Sequence, residues 1–438
     1  VKGDKALLVY DKHDVWAVDP RGELPPACVT DGAGRAGGLR FRRVRLDPEE
    51  RAIDPERPML LSAFHLTTKA TGFYRDRVHG TDKPQKLVLL NESLGRPEKA
   101  EAADRLLFTR STFRKFPDLW VSDGDFKGMA RVSDANPQQK DYLWGTAELV
   151  EWNSLDGERL QGILYRPEGF DPKKKYPMLV YFYERLSDTL HRHFVPAPGS
   201  SSINISFYVS RGYVVFVPDI PYRVGHPGQS CLNAVLPGVM KLVNEGFVDK
   251  ARVGVQGHSW GGYQVAYLLT RTSLFAAAEA GAPVSNMTSA YGGIRWGTGM
   301  SRMFQYEKTQ SRIGGTLWDA QQRYIENSPV FWADRVETPL LLMHNDQDGA
   351  VPWYQGIEMF VALRRLGKPC WLVNYNGADH GLRRDEDKRD WAVRMQQFFD
   401  HYLKGAPPPV WLADGIPAEK KGRTLGLDLV KPDKNSKN

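Results

Sequence analysis

The sequence predicts an α/β domain with a doubly wound, mostly parallel sheet, preceded by an all-β region. Residues 146–405 alternate apolar runs with helical stretches, which is typical of parallel strands joined by helices. Residues 1–145 contain short apolar runs between Gly, Asp, Asn and Pro turns and show no helical period. With 438 residues, of which 41% are hydrophobic, the chain is long enough to bury a large core.

The N-terminal region is expected to form short strands of a partial β-propeller. A weak internal repeat relates residues 4–19 to residues 104–123, since both carry an Asp, an apolar run and a second run around a Trp. At about 40 to 50 residues per blade, this region holds about three blades, fewer than a closed propeller requires. We therefore expect further blades before Val1, or a different β arrangement.

The remaining boundaries follow from changes in the pattern of apolar and polar residues. Residues 136–140 mark the exit from the β region, and the next two runs are expected to form an antiparallel pair. Apolar runs then predict the strands of the parallel sheet at 178–183, 213–217, 253–256, 339–343 and 371–374. A last helix is predicted over about 387–403. The predicted domains are residues 1–145, residues 146–405 and a polar C-terminal tail at 406–438.

Composition excludes several classes of function. The formal net charge is only +7, and the basic runs at 41–45 and 173–175 are short and lack interleaved aromatics, so we expect no nucleic-acid partner. No run approaches the roughly 18 apolar residues of a membrane helix, and residues 1–30 lack a basic segment followed by an apolar one. Three widely spaced cysteines favour buried thiols over disulfides or a metal knuckle.

The strongest local signal is Gly257-His258-Ser259-Trp260-Gly261-Gly262. It follows an apolar run and precedes a helical stretch, which is the context of a nucleophile elbow. The small residues two positions before and after Ser259, Gly257 and Gly261, allow the tight strand-to-helix turn that exposes its hydroxyl. The alternative is a structural glycine-rich turn.

A nucleophilic serine requires a base that is oriented by an acid, and in this fold class these follow in the order Ser, Asp, His. Asp346 and Asp348 follow the run at 339–343, and His380 follows the run at 371–374. Both positions lie at the carboxyl edge of the predicted sheet. His380 is therefore the expected base, whereas the residues alone do not separate Asp346 from Asp348. Either aspartate could instead cap a turn or form a surface ion pair.

Together, the elbow, the segment 339–352 and the loop 379–381 resemble the prolyl oligopeptidase family of serine peptidases over about residues 147–405. The acid of that family lies in the pattern His-Gly-x-x-Asp-x-x-Val-Pro. Here His344 and Val351-Pro352 match the pattern, and Asn345 replaces the glycine. The resemblance implies an α/β-hydrolase fold and favours Asp348 as the acid.

The resemblance also implies an oxyanion hole made of Tyr183 and the backbone amide of Trp260. The alternative reading of Tyr183 is a strand-end aromatic. Residues 282–285 match the stretch before the substrate pocket of the family, although its proline-gripping aromatics are not in register. The candidate substrate-binding residues are Tyr291 and three arginines that could face an acidic side chain or lie on the surface, namely Arg295, Arg302 and Arg185.

These observations predict a serine peptidase that cleaves short peptides through an acyl-enzyme intermediate, with no metal and no organic cofactor. An esterase or acyl hydrolase on the same fold is the first alternative, and a non-catalytic binding protein is the second. Peptide substrates are the expected partners, no membrane partner is expected, and the resemblance makes a homodimer plausible. A soluble protein of the bacterial periplasm or cytoplasm is expected, although no targeting signal decides between them.

Overall fold

The computed structural model describes residues 1–80 and 82–430, and it divides the chain into two compact units. Residues 1–142 and 188–194 form the N-terminal unit, and residues 143–187 and 195 onward form the C-terminal unit. The segment 188–194 was not expected in the first unit, because the sequence pattern around it is that of the α/β domain. Residues 431–438 of the predicted tail, and Thr81, lie outside the described residues.

The N-terminal unit contains three antiparallel sheets that follow one another along the chain. The first comprises β1 (Leu7–Tyr10), β2 (Val15–Val18) and β3 (Ala27–Cys28), and the short helix α1 (Ala33–Gly37) follows it. The second comprises β4 (Leu39–Val44), β5 (Met59–His65), β6 (Thr71–Asp76) and β7 (Gln85–Leu90). The third comprises β8 (Ser93–Leu94), β9 (Glu98–Lys99), β10 (Leu106–Ser111), β11 (Asp118–Ser122) and β12 (Ala130–Arg131). Single 3₁₀ turns lie at Lys2–Asp4 and Pro137–Asp141.

Apolar side chains fill the spaces between successive sheets of this unit. Phe41 and Leu61 are buried in a cluster shared by the first and second sheets. Between the second and third sheets, the rings of Phe73 and Phe126 stack at a centroid distance of 4.5 Å, and Phe108 packs beside them. The internal repeat corresponds to the hairpins β1–β2 and β10–β11.

The C-terminal unit is built on an eight-stranded sheet, whose order is β13-β14-β16-β15-β17-β18-β21-β22. Its strands are β13 (Thr146–Asn153), β14 (Arg159–Arg166), β15 (Tyr176–Tyr181), β16 (Val214–Pro218), β17 (Val248–His258), β18 (Ala277–Gly281), β21 (Leu340–Met343) and β22 (Cys370–Val373). The pairs β13–β14 and β14–β16 are antiparallel, and the other pairs are parallel. A separate hairpin consists of β19 (Ile294–Arg295) and β20 (Met300–Ser301).

Helices cover the sheet, as the alternating sequence pattern predicts. The helices in the described part of this unit are α2 (Ile205–Ser210), α3 (Pro227–Asn244), α4 (Trp260–Leu269), α5 (Met287–Tyr291), α6 (Met303–Glu307), α7 (Gln321–Glu326), α8 (Tyr354–Arg365), α9 (Asp385–Lys404) and α10 (Val410–Ala413). Further 3₁₀ turns lie at Ser187–Thr189, Pro329–Arg335 and Ala418–Lys420. The strands β15, β16 and β21 are buried along most of their length, since side chains on both faces of the sheet meet helices.

Two segments have a structure that their sequences alone do not predict. The strand β18 has the sequence Ala-Ala-Glu-Ala-Gly, which has low β propensity, and it forms a strand because β17 and β21 pair with it on both sides. Residues 406–430, set apart by sequence pattern as a tail, pack against α9. There Trp411 is buried and donates from Nε1 to Gln397 (2.8 Å), and Arg394 donates to the carbonyl of Leu425 (3.0 Å).

No helix in the described ranges has both the length and the apolar character needed to span a bilayer.

Candidate active site

Ser259 lies at the sharp turn between β17 and α4. Its backbone angles are φ 60° and ψ −116°, outside the regions that side chains other than glycine prefer. The Ser259 amide donates to the carbonyl of Gly281 at 2.7 Å, which ties the turn to β18. Such local strain is typical of functional turns that are held by the surrounding fold.

The glycines of the motif are required by close backbone contacts. A Cβ atom on Gly257 would lie 2.6 Å from the carbonyl carbon of Gly261. A Cβ on Gly261 would lie 2.7 Å from the carbonyl oxygen of Phe182, and one on Gly262 would lie 2.3 Å from that of Gly281. These distances are too short for any side chain, so the sequence pattern reflects the geometry of the turn.

Asp348 follows β21 on the loop 344–352, and its side chain is fully buried (0% exposed). Oδ1 accepts hydrogen bonds from the amides of Ala350 and Val351, both at 2.8 Å. Oδ2 lies 2.8 Å from Nδ1 of His380. Burial alone would raise the pKa of Asp348, but hydrogen bonds from His344 and His380 lower it by more, so this pKa lies well below its usual range.

The His380 imidazole is 27% exposed, and the Asp348 carboxylate holds it through Nδ1. A carboxylate at Nδ1 keeps the proton on that nitrogen and leaves the lone pair on Nε2. The ring lies 4.7 Å, centroid to centroid, from the ring of His258, which directly precedes Ser259. The fold therefore brings the predicted base and acid together and places the base beside the elbow.

His258 itself has a different environment from His380. Burial and the neighbouring His380 lower the pKa of His258 to about 3, so it stays neutral. Its Nδ1 faces Gly281 so closely that a Cβ there would lie 2.4 Å away. His258 is thus a packed, neutral neighbour of the site.

Asp346 does not contact His380 but joins the loops that carry the acid and the base. Its Oδ1 accepts from the amide of Gly377 at 2.7 Å. Asn345 makes two further bonds, accepting from the amide of Tyr375 (3.1 Å) and donating to the carbonyl of Asp379 (2.8 Å). This role of Asn345 was not predicted from the sequence. The available signal was that an asparagine stands where the family pattern has a glycine.

The backbone at Tyr183, just after β15, is held by buried side chains. Its carbonyl accepts from Nε2 of Gln264 at 2.6 Å. The Tyr222 hydroxyl lies 3.2 Å from the same carbonyl and 2.8 Å from Oε1 of Gln264, and its one proton is shared between these two acceptors. The Tyr222 hydroxyl also accepts from Nε1 of Trp260 at 3.0 Å, and burial raises its pKa well above the usual range. Trp260 is the first residue of α4, so its own amide has no partner within the helix.

The Tyr183 hydroxyl ends a one-way series of hydrogen bonds, which we call the amide relay. Arg295 donates from Nη2 to Oε1 of Gln305 (2.9 Å), Gln305 donates to Oε1 of Gln310 (2.9 Å), and Gln310 donates to Oη of Tyr183 (2.8 Å). A guanidinium can only donate, so the direction of the series is set at Arg295. Tyr183 therefore accepts from the relay and keeps its own proton for another acceptor. Gln305 and Gln310 were not predicted.

The other predicted substrate-binding residues occupy different environments. Tyr291 is buried, and its hydroxyl donates to Oε1 of Glu307 at 2.7 Å. Arg295 is half-buried and begins the amide relay. Arg185 is exposed on the segment after Tyr183.

Within residues 1–80 and 82–430, no group of three or more His, Cys, Asp or Glu side chains is arranged to hold a metal ion. Cys231 and Cys370 are buried and Cys28 is half-buried, and all three are free thiols.

Comparison with known proteins decides the family. Residues 199–406 match the model of the prolyl oligopeptidase family. These residues belong to that family. The match covers the elbow, the loop of Asp348 and the loop of His380, and it confirms the family predicted from the motifs.

Curated relatives carry peptidase names. The uncharacterized peptidase YuxL of Bacillus subtilis is 27% identical over 286 residues, which cover 60% of this chain and 40% of the relative. The probable chloroplastic glutamyl endopeptidase of Arabidopsis thaliana is 27% identical over 309 residues, covering 65% and 30% respectively. Dipeptidyl-peptidase 5 of Porphyromonas endodontalis is 24% identical over 277 residues, covering 58% and 37%. The chain therefore spans less than half the length of these relatives.

Solved structures share the fold of both units. An acylaminoacyl peptidase in complex with a chloromethyl ketone gives a TM-score of 0.65 at 19% identity, covering 91% of this chain and 62% of the other. Dipeptidyl peptidase 4 of Porphyromonas gingivalis gives 0.69 at 17% identity, with 91% and 54% covered. Puromycin hydrolase gives 0.69 at 18% identity, with 97% and 62% covered. The predicted fold class, an α/β-hydrolase domain after an all-β region, is confirmed.

Proposed function

We propose that this chain is a serine peptidase that cleaves short peptides, with Ser259 as nucleophile, His380 as base and Asp348 as the orienting acid. The observation that carries the proposal is the 2.8 Å contact between Asp348 Oδ2 and His380 Nδ1, next to the strained turn of Ser259. Membership of residues 199–406 in a peptidase family supports it. The family match covers residues 199–406, so the peptidase activity of the whole protein is likewise proposed.

In the first step, the Ser259 hydroxyl oxygen attacks the scissile carbonyl carbon while its proton moves to Nε2 of His380. The carbonyl π electrons move to the oxygen, which becomes an oxyanion. The Trp260 amide and the Tyr183 hydroxyl are the proposed donors to that oxygen. One such donor is typically worth about 3 kcal/mol in the transition state.

In the second step, the tetrahedral intermediate collapses and the carbon–nitrogen bond breaks. His380 returns its proton to the leaving amine, and the acyl group stays on Ser259 as an ester. Water then attacks this ester by the same route, with His380 taking the water proton and returning one to Ser259. Atoms and charge balance without a metal or a redox partner.

Asp348 acts through His380 rather than on the substrate. Its depressed pKa keeps the carboxylate charged at neutral pH, and the two amide bonds to Oδ1 fix its orientation. It can therefore hold the imidazole in the tautomer that leaves Nε2 unprotonated and stabilise the imidazolium that forms. Restriction to short peptides, homodimerisation and the cellular compartment stay predictions.

Labelling with a fluorophosphonate followed by intact-mass analysis tests the proposal. We expect one adduct on the native chain, none on Ser259→Ala, and greatly slowed labelling of His380→Ala. His401→Ala is the matched control, because His401 lies on α9 and pairs through Nδ1 with the carbonyl of Ala406 (2.8 Å). Absence of labelling on the folded native chain would contradict an assembled site and favour a non-catalytic binding protein.

Matched amide and ester substrates separate the peptidase from the esterase alternative. A peptidase should cleave a peptide p-nitroanilide and the corresponding ester, both only when Ser259 is present. An ester that is turned over while every peptide amide stays intact would favour the acyl hydrolase, because the same triad serves both acyl groups.

A further inference from the structure

A group of apolar and aromatic side chains packs between the elbow and the loop of Asp348. We call it the aromatic cluster, and its members include Trp260, Val284, Met287, Tyr291, Tyr306 and Val351. Trp260 directly follows Ser259, and the Val351 amide donates to Asp348. The cluster therefore borders both the elbow and the loop of Asp348.

Arg302 is a buried cation at the edge of this cluster, only 1% exposed. Its Nη2 donates to the hydroxyl oxygen of Tyr306 at 3.1 Å, and its guanidinium carbon lies 5.5 Å from the Tyr306 ring centroid. Its Nε and Nη1 are buried and have no hydrogen-bond partner among the described residues. No carboxylate of the described chain lies within ion-pair distance of it. A buried charge left in this way destabilises the fold unless a partner arrives.

Tyr306 adds another donor without an acceptor. Its oxygen accepts from Arg302, so the hydroxyl proton points elsewhere, and no acceptor for it is found among residues 1–80 and 82–430. Buried polar groups are normally satisfied. Arg302 Nε, Arg302 Nη1 and the Tyr306 hydroxyl therefore carry hydrogens for which the described residues provide no acceptor.

The charged neighbours leave the positive charge uncompensated. The nearby carboxylate of Glu307 already accepts from the hydroxyl of Tyr291 at 2.7 Å. Arg295, whose charge also acts on Tyr306, is a second cation. An acceptor that enters this region is thus favoured if it carries a negative charge.

We infer that Arg302 and Tyr306 recognise a carboxylate on the substrate, so that the proposed peptidase cleaves after Glu or Asp. The inference rests on the proposed function. A guanidinium and a phenol together match the two oxygens of a carboxylate, and the aromatic cluster suits the methylene groups that carry it. In this arrangement the substrate carboxylate accepts a hydrogen bond from the Tyr306 hydroxyl. The positive charge of Arg302, which itself donates to the Tyr306 oxygen, attracts the carboxylate.

The segment that joins Tyr291 to Arg302 is suited to admit such a side chain. It contains the hairpin of β19 and β20 and four glycines. Gly292, Gly297 and Gly299 have no atom within 4 Å of an added Cβ, so they lie in open surroundings. Glycine in such positions lets the backbone move at low cost.

The test compares acetylated peptide p-nitroanilides that differ only in the residue before the scissile bond, namely Glu, Gln or Leu. We expect the native chain to prefer Glu over Gln by about tenfold or more in kcat/KM, since Gln lacks the negative charge and replaces one acceptor oxygen by an NH2 group that would face the donors of Arg302 and Tyr306. Arg302→Gln should lower this ratio about tenfold or more, and Tyr306→Phe should lower it several-fold. Arg365→Gln, an exposed arginine on α8, should leave it unchanged.

The outcomes distinguish the inference from the proposed function. If Gln or Leu is cleaved as well as Glu, or if the Glu-to-Gln ratio survives in Arg302→Gln, the inference is refuted while the peptidase stands. If no substrate is cleaved and Ser259 is not labelled, the proposed function itself fails. If Arg302→Gln does not fold, Arg302→Lys replaces it, and a reduced but retained Glu preference supports the role of the charge. Rates that depend on chloride without any Glu preference would assign the site to a small anion and refute the inference.

Discussion

The amide relay to Tyr183 makes a prediction that a double-mutant cycle can test. Gln310→Leu keeps the size of the side chain and removes the donor that lies 2.8 Å from the Tyr183 hydroxyl oxygen. A neutral hydrogen bond of this kind contributes about 0.5–1.5 kcal/mol, and polarisation along the relay adds a fraction of that. We therefore expect kcat on a peptide p-nitroanilide to fall about 2- to 20-fold.

Tyr183→Phe should cost far more, because it removes the proposed oxyanion donor itself. Loss of one such donor typically lowers kcat about 100- to 1,000-fold. Since Gln310 acts only through the Tyr183 hydroxyl, the double variant should be no slower than Tyr183→Phe alone. Gln322→Leu serves as the matched control, since Gln322 is an exposed glutamine on α7.

The assay is kcat and KM for the four variants together with the inhibition constant of a peptide boronic acid, which mimics the tetrahedral state. The relay predicts parallel losses in kcat and in boronic acid affinity for Gln310→Leu, with KM nearly constant. Additive losses in the double variant would refute the reasoning, because they would show that Gln310 acts independently of Tyr183. A loss confined to KM would refute it as well.

Three further predictions concern stability and the elbow. Asn345→Ala leaves the buried amide of Tyr375 and the half-buried carbonyl of Asp379 without these partners, so the free energy of unfolding in urea should fall by about 1–3 kcal/mol, and an unchanged value would contradict the loop-joining role. The pKa of Asp348 is depressed in the folded state, so its ionised form stabilises the fold above about pH 4, and this contribution is lost as the pH falls toward the folded pKa. The difference in unfolding free energy between the native chain and Asp348→Asn should therefore shrink below about pH 4. A difference that stays constant with pH would contradict this prediction. Gly261→Ala forces a Cβ to 2.7 Å from the Phe182 carbonyl oxygen and should cost about 1–3 kcal/mol and slow fluorophosphonate labelling, which native-like stability and labelling would disprove.

The features that could be predicted from the sequence are those in which a local pattern reflects a steric requirement. A Cβ atom added to Gly257 or Gly261 would lie less than 3 Å from a backbone atom, so the spacing of glycines around Ser259 is nearly sufficient to predict the turn. The positions of Asp348 and His380 follow from the rule that sites gather at the carboxyl ends of parallel strands. The alternating apolar runs predict the parallel strands for the same reason, since strands buried on both faces carry few polar residues.

What the sequence left open depends on contacts between distant segments. Asp346 and Asp348 lie on one loop, and only the direction of each carboxylate differs: one meets the Gly377 amide and the other meets His380. Gln310 reaches Tyr183 across more than a hundred positions, and no local pattern marks it. The strand β18 has helix-favouring alanines and is extended only because its neighbours pair with it.

The two arginines that matter here set the direction of a phenol proton in the same physical way. Arg295 begins the amide relay that ends on the oxygen of Tyr183, and Arg302 donates directly to the oxygen of Tyr306. Because a guanidinium cannot accept, neither phenol can donate back, and each proton is left for an acceptor outside the described chain. The proposed acceptors differ, being the oxyanion for Tyr183 and a substrate carboxylate for Tyr306. Arg295→Met should therefore lower kcat on every substrate to a similar extent, whereas Arg302→Gln should act on the Glu-to-Gln ratio. Exchanged effects of the two substitutions would show that the directions of the two hydroxyl groups do not control these separate tasks.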